Sequence, residues 1–272
     1  MIKSAGFMHA NRILQIYSCL VIVYLYIPIA ILFLFSFNNS RYIAFPLKGF
    51  TLDWYKGMAG NIQLLESLGN SLQVGLVASL TATLLATLTA KAVARHRFRG
   101  RMAVVSFVSL PMVMPEIILG ISLLIILFSL GFDLSLATVT LGHIVITTPY
   151  ALAVMIARFS GYDPSYEEAS LDLGETAFST FWRVTLPLVW PGIASSLLLT
   201  FLISFDDFVT SFFLTGSDQT LPVFIYSQLR FPQKLPSTLA LGTSILAVSI
   251  VLIVIAEFLR NKGLRSQSKG GI

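Results

Sequence analysis

The sequence predicts an all-α fold: a polytopic membrane protein of six spanning helices with one cytoplasmic helix-turn-helix loop. Three observations carry that expectation. The 272 residues are 56% hydrophobic and 11% charged, with a mean hydropathy of +0.82, whereas soluble domains carry about a quarter charged residues. Six apolar windows, at about 13–37, 68–93, 103–130, 136–157, 191–215 and 237–259, match the roughly 20 residues that cross a hydrocarbon core. The connection between the fourth and fifth windows, about 158–190, is polar and long enough to hold helices of its own. A single transmembrane domain over residues 1–272 is the expected organisation.

The first window is 25 residues long. That exceeds the roughly 7 to 15 of a signal-peptide core, so it is expected to remain as a spanning helix. Its Cys19 is the only cysteine in the chain, which excludes an intramolecular disulfide and suggests no thiolate metal site. The loop that follows carries Tyr42, Trp54 and Tyr55, rings suited to the membrane–water interface. The second window ends near Lys91 and runs into "ARHRFRGR", four arginines in one short connection. In the third, Pro111 and Pro115 break the helix locally, and the carboxylate of Glu116 is placed to serve the amides freed there. The fourth, "LGHIVITTPYAL", contains His143, expected to pack at an interface because no acid lies near it in sequence. Thr147, Thr148 and Tyr150 around Pro149 are candidates to line a pathway. The fifth carries "LISFDDF", with Asp206 and Asp207 side by side, and the sixth ends with Glu257, expected to pair with Arg260 or Lys262 on the adjoining turn.

An even number of spans puts both termini on one side. With the termini inside, 13 of the 18 basic residues fall on cytoplasmic connections, and the other five, Arg41, Lys48, Lys56, Arg230 and Lys234, lie in the two long outer loops. The positive-inside bias therefore orients both termini to the cytoplasm. The net charge of +5 reflects that orientation within lipid and points to no nucleic-acid partner.

The cytoplasmic loop reads as two short helices around a glycine. Ser165 with Glu168 three residues on forms a candidate capping box, after a turn at Asp163 and Pro164. Gly174 suits the left-handed conformation that often ends a helix. Phe178, Phe181 and Trp182 give the second helix an apolar stripe, and Pro187 and Pro191 are expected to end it. Glu167, Glu168, Asp172 and Glu175 against only Arg183 make the surface acidic. An anionic leaflet would repel such a surface, so a protein partner fits it better than lipid.

The spacing is specific. Glu168, Ala169 and Ser170, three residues, Gly174, nine residues, then Val184, Thr185, Leu186 and Pro187 resemble the EAA loop of permease subunits in binding-protein-dependent ABC importers. The family pattern is Glu-Ala-Ala, three residues, Gly, nine residues, Ile-x-Leu-Pro, and Ser170 and Val184 are mild departures from it. The resemblance implies a type I importer permease in a bacterial inner membrane, whose loop docks on a cytoplasmic ATPase and carries its closure to the spans. It also implies a second permease subunit, expected as a heterodimer partner, and a periplasmic binding protein delivering cargo to outer loops such as that of Trp54 and Tyr55. The sequence contains no G-x-x-x-x-G-K-[ST] phosphate cradle; no cofactor is expected in this chain, and ATP is expected on the partner ATPase subunits. "YLYIPIAILFLFSFNNSRY", "GFTLDWY", "PMVMPEIILGISLL", "SFDDFVTSFFLTG" and "TLPVFIYSQLR" look like the second permease of the polyamine, spermidine and putrescine, type.

Independently of that resemblance, ionisable residues inside a membrane usually face a pathway. No lysine or arginine lies deep in any expected span, so an in-chain ion pair for these acids is not expected. Asp206, Asp207 and Glu116, with Ser204, Tyr150, Phe205 and Phe208, are the expected substrate pathway. Acids beside aromatic rings suit an alkylammonium, because a cation over a ring face gains roughly 0.5 to 2 kcal/mol. Adjacent helical residues point about 100° apart, so the two aspartates cannot both face one lumen, and which one faces the cargo stays open. Other cargoes remain as alternatives: ferric ion, thiamine, sulfate or an amino-acid derivative, of which anions fit two aspartates poorly. An ion-coupled secondary transporter would have no use for an ATPase-docking loop, and an enzyme would need a nucleophile, metal or acid–base constellation that the residues do not suggest.

Overall fold

The computed structural model describes residues 3–248 and 250, with side chains from residue 14 onward. Its elements are α1 (Lys3–Ser36), α2 (Asp53–Met58), α3 (Ile62–Arg95), α4 (Arg101–Val113), α5 (Glu116–Ser129), α6 (Leu136–Ser160), α7 (Ser165–Asp172), α8 (Ala177–Thr180), α9 (Leu186–Asp206), α10 (Val209–Leu214) and α11 (Leu221–Gln228). A helical stretch, α12, follows over 235–248. Among the described residues, four helical runs are long and apolar enough to cross a membrane, five if the α4–α5 pair is one bent span. The sixth expected window, 237–259, extends beyond the described residues, and so does the pairing expected of Glu257. The chain divides into two compact units, Gln63–Tyr226 and the segments on either side of it.

Within Gln63–Tyr226, α3 has two opposite faces. Ala78, Ala82, Ala86 and Ala90, one turn apart, are buried, with Ser71, Ser79, Thr83 and Thr87 beside them. Leu72, Leu76, Leu80, Leu84 and Leu88 are exposed. Lipid tails are as apolar as leucine, so helices in a bilayer associate through small residues that let backbones approach and through hydrogen bonds between helices. Ala82, Ala86 and Ala90 of α3 accordingly pack with Ala151, Leu152, Met155 and Phe159 of α6 and Val189 of α9. Thr83 and Ser196 share a buried hydrogen bond of 3.0 Å between α3 and α9.

Two expected helices are interrupted and one is longer than expected. The third window is bent by 107° between α4 and α5. Met114, forced out of helical geometry by the proline that follows it, has ψ 141°, and Pro115 has ψ 129°. Glu116 is the first residue of α5. It suits that position through its charge at a helix N-terminus, but it forms no hydrogen bond to the freed amides among the described residues. The fifth window is broken at its aspartates: α9 ends at Asp206, Asp207 is extended at ψ 117°, and α10 starts two residues later. Conversely, Pro187 and Pro191 do not end the second helix of the 158–190 connection, which runs without a break from Ala177 to Asp206. One π-turn, Phe181–Thr185, makes the join, with the Leu186 N–H donating to the Phe181 carbonyl. Pro187, which has no N–H to give to the ladder, follows directly on that π-turn.

In the second unit, the loop after α1 folds on itself. The Trp54 indole donates to the Asn38 carbonyl at 3.0 Å, and the Tyr55 hydroxyl shares a 2.6 Å hydrogen bond with Ser36. The Asn38 side chain accepts the Lys48 N–H at 3.0 Å, and Tyr55 stacks on Phe37. Trp54 and Tyr55 are thus half-buried and tie the loop to the end of α1, while Tyr42 is exposed.

The tightest backbone approach lies after α10, where a Cβ at Gly216 would collide with the backbone carbonyl of Leu134. Gly216→Ala is expected to cost about 1–3 kcal/mol as the two segments are pushed apart, read as a lower melting temperature of the purified protein.

Candidate functional site

The helix break at residues 206–208 shapes the site. A cleft of about 590 Å³ opens there between α4, α5, α6 and α9, bordered by Glu116, Tyr150, Asp206, Asp207, Phe208 and Met114 among others. Five of the seven residues expected in a pathway therefore share one cavity. Ser204 and Phe205 do not line it: Ser204 is buried against α6, and Phe205 stacks on Phe201. Phe208 packs with Tyr226 and Phe212, at ring-centroid distances of 4.7 and 5.4 Å, which gives the cleft an aromatic edge.

The two aspartates part company at the break. Asp206 is exposed, whereas the Asp207 side chain is only 6% exposed, with Oδ2 at 3.2 Å from His143 Nε2. The same oxygen accepts the Ser211 N–H at 3.0 Å, meeting one of the amides that a helix N-terminus leaves without a partner. His143, expected to pack at an interface, is buried between α6 and the α9–α10 junction and also meets an acid there: α6 brings it to Asp207 across 64 residues of sequence, a separation no local pattern records. No lysine or arginine pairs with the acids of the cleft among the described residues.

In the loop that carries the Glu-Ala-Ser segment, Ser165 is the first residue of α7 and not its cap: Pro164 precedes it, and the Asp163 carboxylate accepts the Ser165 N–H at 2.9 Å. Gly174 has φ +88°, and the Glu175 N–H returns to the Ser170 carbonyl at 3.2 Å, the Schellman closure that a glycine permits. Glu168 and Ala169 are exposed, and Ser170 shares a 3.0 Å hydrogen bond with Thr180. Val184 and Leu186 are half-buried and Pro187 is exposed. Beside the acids stand bare apolar side chains, with Leu173 86% and Phe178 75% exposed.

The residue that ties this loop to the spans is Glu167, a position the sequence reading passed over for its neighbour Glu168. Its Oε1 accepts the Thr185 hydroxyl at 2.7 Å and that of Tyr162, and Oε2 lies 3.5 Å from Arg95 Nε. Arg95 also sits over the Tyr162 ring, 4.2 Å from its centroid. One carboxylate thus joins α7, the π-turn, the end of α6 and the end of α3. Thr185 is the variable position of the Val-Thr-Leu-Pro segment, and its complete burial is the only hint that it has a partner there. Arg158 adds a second tie, donating to the Leu188 carbonyl while its stem lies across Gly192.

Burial alone would raise the Glu167 carboxyl. The hydrogen bonds from Thr185 and Tyr162 and the charges of Arg95 and Lys91 outweigh it and hold the group below the ordinary glutamate range. Burial, then the bond to Glu167, pushes the Tyr162 hydroxyl up, so it remains a donor.

Comparison with known proteins decides the family. Residues 79–262 match the family described as "Binding-protein-dependent transport system inner membrane component". The chain belongs to this permease family. It is 36% identical to the spermidine/putrescine transport system permease protein PotC of Escherichia coli (strain K12) over 251 residues, 92% of this chain and 93% of that one. It is 33% identical to the putrescine transport system permease protein PotI of the same strain over 237 residues, 84% of each chain. Among solved structures it resembles a bacterial ABC transporter involved in the import of the acidic polysaccharide alginate, with a TM-score of 0.71 and 17% identity over 95% of this chain and 98% of that one. A second alginate transporter structure, in complex with a pentasaccharide-bound periplasmic protein, gives 0.68 and 20% over 93% of each. These likenesses place the permease in the all-α importer fold of a multi-pass inner-membrane family.

A carboxylate held below its ordinary range stabilises the fold above its unfolded pKa and loses that contribution as pH falls through the lower folded value. Acidification from neutral pH to below about 4.5, the ordinary glutamate value, is expected to lower the hydrogen-exchange protection of residues 165–187, measured relative to the intrinsic rate at each pH. Glu167→Gln should show faster exchange at neutral pH and no such acid step in that segment.

Proposed function

We propose that this chain is a permease subunit of an ATP-driven importer that moves polyamines into the cytoplasm. The observation that carries this reading is the unbroken helix from Ala177 to Asp206. At about 1.5 Å rise per residue it is roughly 45 Å long. One end lies in the exposed, acidic and apolar loop, the other in the acid-lined cleft, so a push on the loop reaches Asp206 through rigid backbone.

The cleft suits a polyamine on chemical grounds. Asp206 and Glu116 supply two carboxylates, and Phe208 and Tyr150 supply ring surface, which together match ammonium groups on an alkyl chain. The identity to permeases named for spermidine and putrescine transport supports the same cargo. The alginate transporters share the fold, but an acidic polysaccharide is the opposite charge, which is why fold alone does not choose a cargo.

The partners follow from the two ends. The loop around Glu168, Gly174, Leu173 and Phe178 docks on a cytoplasmic ATPase subunit, which holds the ATP and does the hydrolysis; this chain catalyses no reaction itself. A second permease, different in sequence, completes the pore, and a periplasmic binding protein loads it from the outer side. Both termini face the cytoplasm, as the Lys and Arg distribution requires.

Two substitutions test the two ends. Asp206→Asn is expected to lower uptake of labelled putrescine and spermidine by about tenfold or more, the scale of one lost charge-assisted contact, with ATPase association intact; undiminished uptake would remove the cleft from the cargo path. Gly174→Val, strained by the positive φ, should leave ATP hydrolysis running in the assembled complex while uptake falls.

A further inference from the structure

His143 does more than fill space in α6. Its ring is 1% exposed, and both nitrogens are engaged. Nδ1 lies 2.6 Å from the Ser204 hydroxyl, in the last turn of α9. Nε2 lies 3.0 Å from the Ser211 hydroxyl, in the first turn of α10, and 3.2 Å from Asp207 Oδ2. One imidazole thus spans the break, with a hydrogen bond to each side of it and a contact to the acid in the gap.

The rest of α6 supports the same junction. Thr138 donates to the Leu214 carbonyl at the end of α10 at 2.8 Å. One turn on, Gly142 lets α10 lie close, since a Cβ there would meet Leu214 and come within 2.8 Å of Thr210 Cγ2. With α10 fixed on α6, both aspartates border the cleft, but the Asp207 carboxylate is taken up by His143 and the Ser211 N–H. Asp206 is the exposed one of the pair.

We propose that His143 is a positioning residue of the cargo site: by holding Asp207 across the α9–α10 break, it makes Asp206 the acid presented to the cleft. The cargo-facing role of Asp206 rests on the function proposed above; the clamp itself does not. The clamp has a specific chemical requirement, a donor at the Nε2 position that reaches Asp207. Glutamine places an amide near that position, whereas asparagine reaches only the Nδ1 position beside Ser204.

The test compares His143→Gln with His143→Asn in the full transporter carrying Cys19→Ser. Asp206→Cys serves as reporter for a cationic methanethiosulfonate, and Asp218→Cys in the outer loop as reference. His143→Gln is expected to leave the labelling rate at position 206 within about threefold of the parent and His143→Asn to change it by about tenfold or more, the scale of a lost hydrogen bond to a charged group. Labelling at 218 should be the same in all. With Asp206 intact, polyamine uptake should fall in His143→Asn and be retained in His143→Gln. Equal labelling in the two variants, or uptake retained by Asn and lost by Gln, would overturn the clamp. If labelling separates them while neither variant alters polyamine uptake, the clamp stands and the cargo assignment of Asp206 fails.

Discussion

Hydrocarbon gives two helices no hydrophobic reason to meet, and the whole of Gln63–Tyr226 is arranged around that constraint. Burying leucine against leucine gains little when lipid offers the same contact, so the core is built from what lipid cannot supply: close backbone approach and hydrogen bonds between helices. The buried face of α3 is alanine, serine and threonine while its leucines point outward. The pairs that cross between helices, Thr83 with Ser196 and Thr138 with the Leu214 carbonyl, are the specific contacts in an interior where dispersion alone would allow sliding. Gly142 and Gly192 extend the same logic, each vacating the volume that a side chain from the next helix occupies.

That constraint makes helix breaks expensive, because each one exposes backbone groups that lipid cannot satisfy. The breaks at Pro115 and Asp207 are tolerated where they border a cleft, and at the second the freed Ser211 amide is met by a carboxylate. The break and the acid are therefore one device. An unbroken helix would direct Asp206 and Asp207 about 100° apart on one cylinder; with Asp207 extended between α9 and α10, one carboxylate is buried on His143 and the other is exposed.

The loop end of α9 solves the opposite problem, keeping a helix intact through two prolines. The π-turn at Phe181–Thr185 absorbs the first, and the Glu167 hub fixes the turn to α3, α6 and α7. The loop is consequently continuous with the span that carries Asp206. Under the function proposed above, motion of a docked partner would be delivered to that span as displacement of a rigid element, with Glu167 and Arg158 tying it to its neighbours.

The sequence by itself determined the all-α membrane class, the positions of most spans, the turn at Gly174 and the EAA-type spacing, because hydrophobic run length and glycine backbone freedom are local properties. It also marked Asp206, Asp207 and Glu116 as anomalous, since a charge in an apolar run is visible without any neighbour. Only the tertiary structure decided that the helix ends at Asp206, that Pro187 and Pro191 do not end theirs, that Glu167 rather than Glu168 anchors the loop, and that His143 meets Asp207. The last two depend on partners brought in from another helix, 61 to 68 residues away for His143 with Ser204, Asp207 and Ser211. A helix carries its own periodicity, but which of its faces finds a partner is a property of the packed bundle.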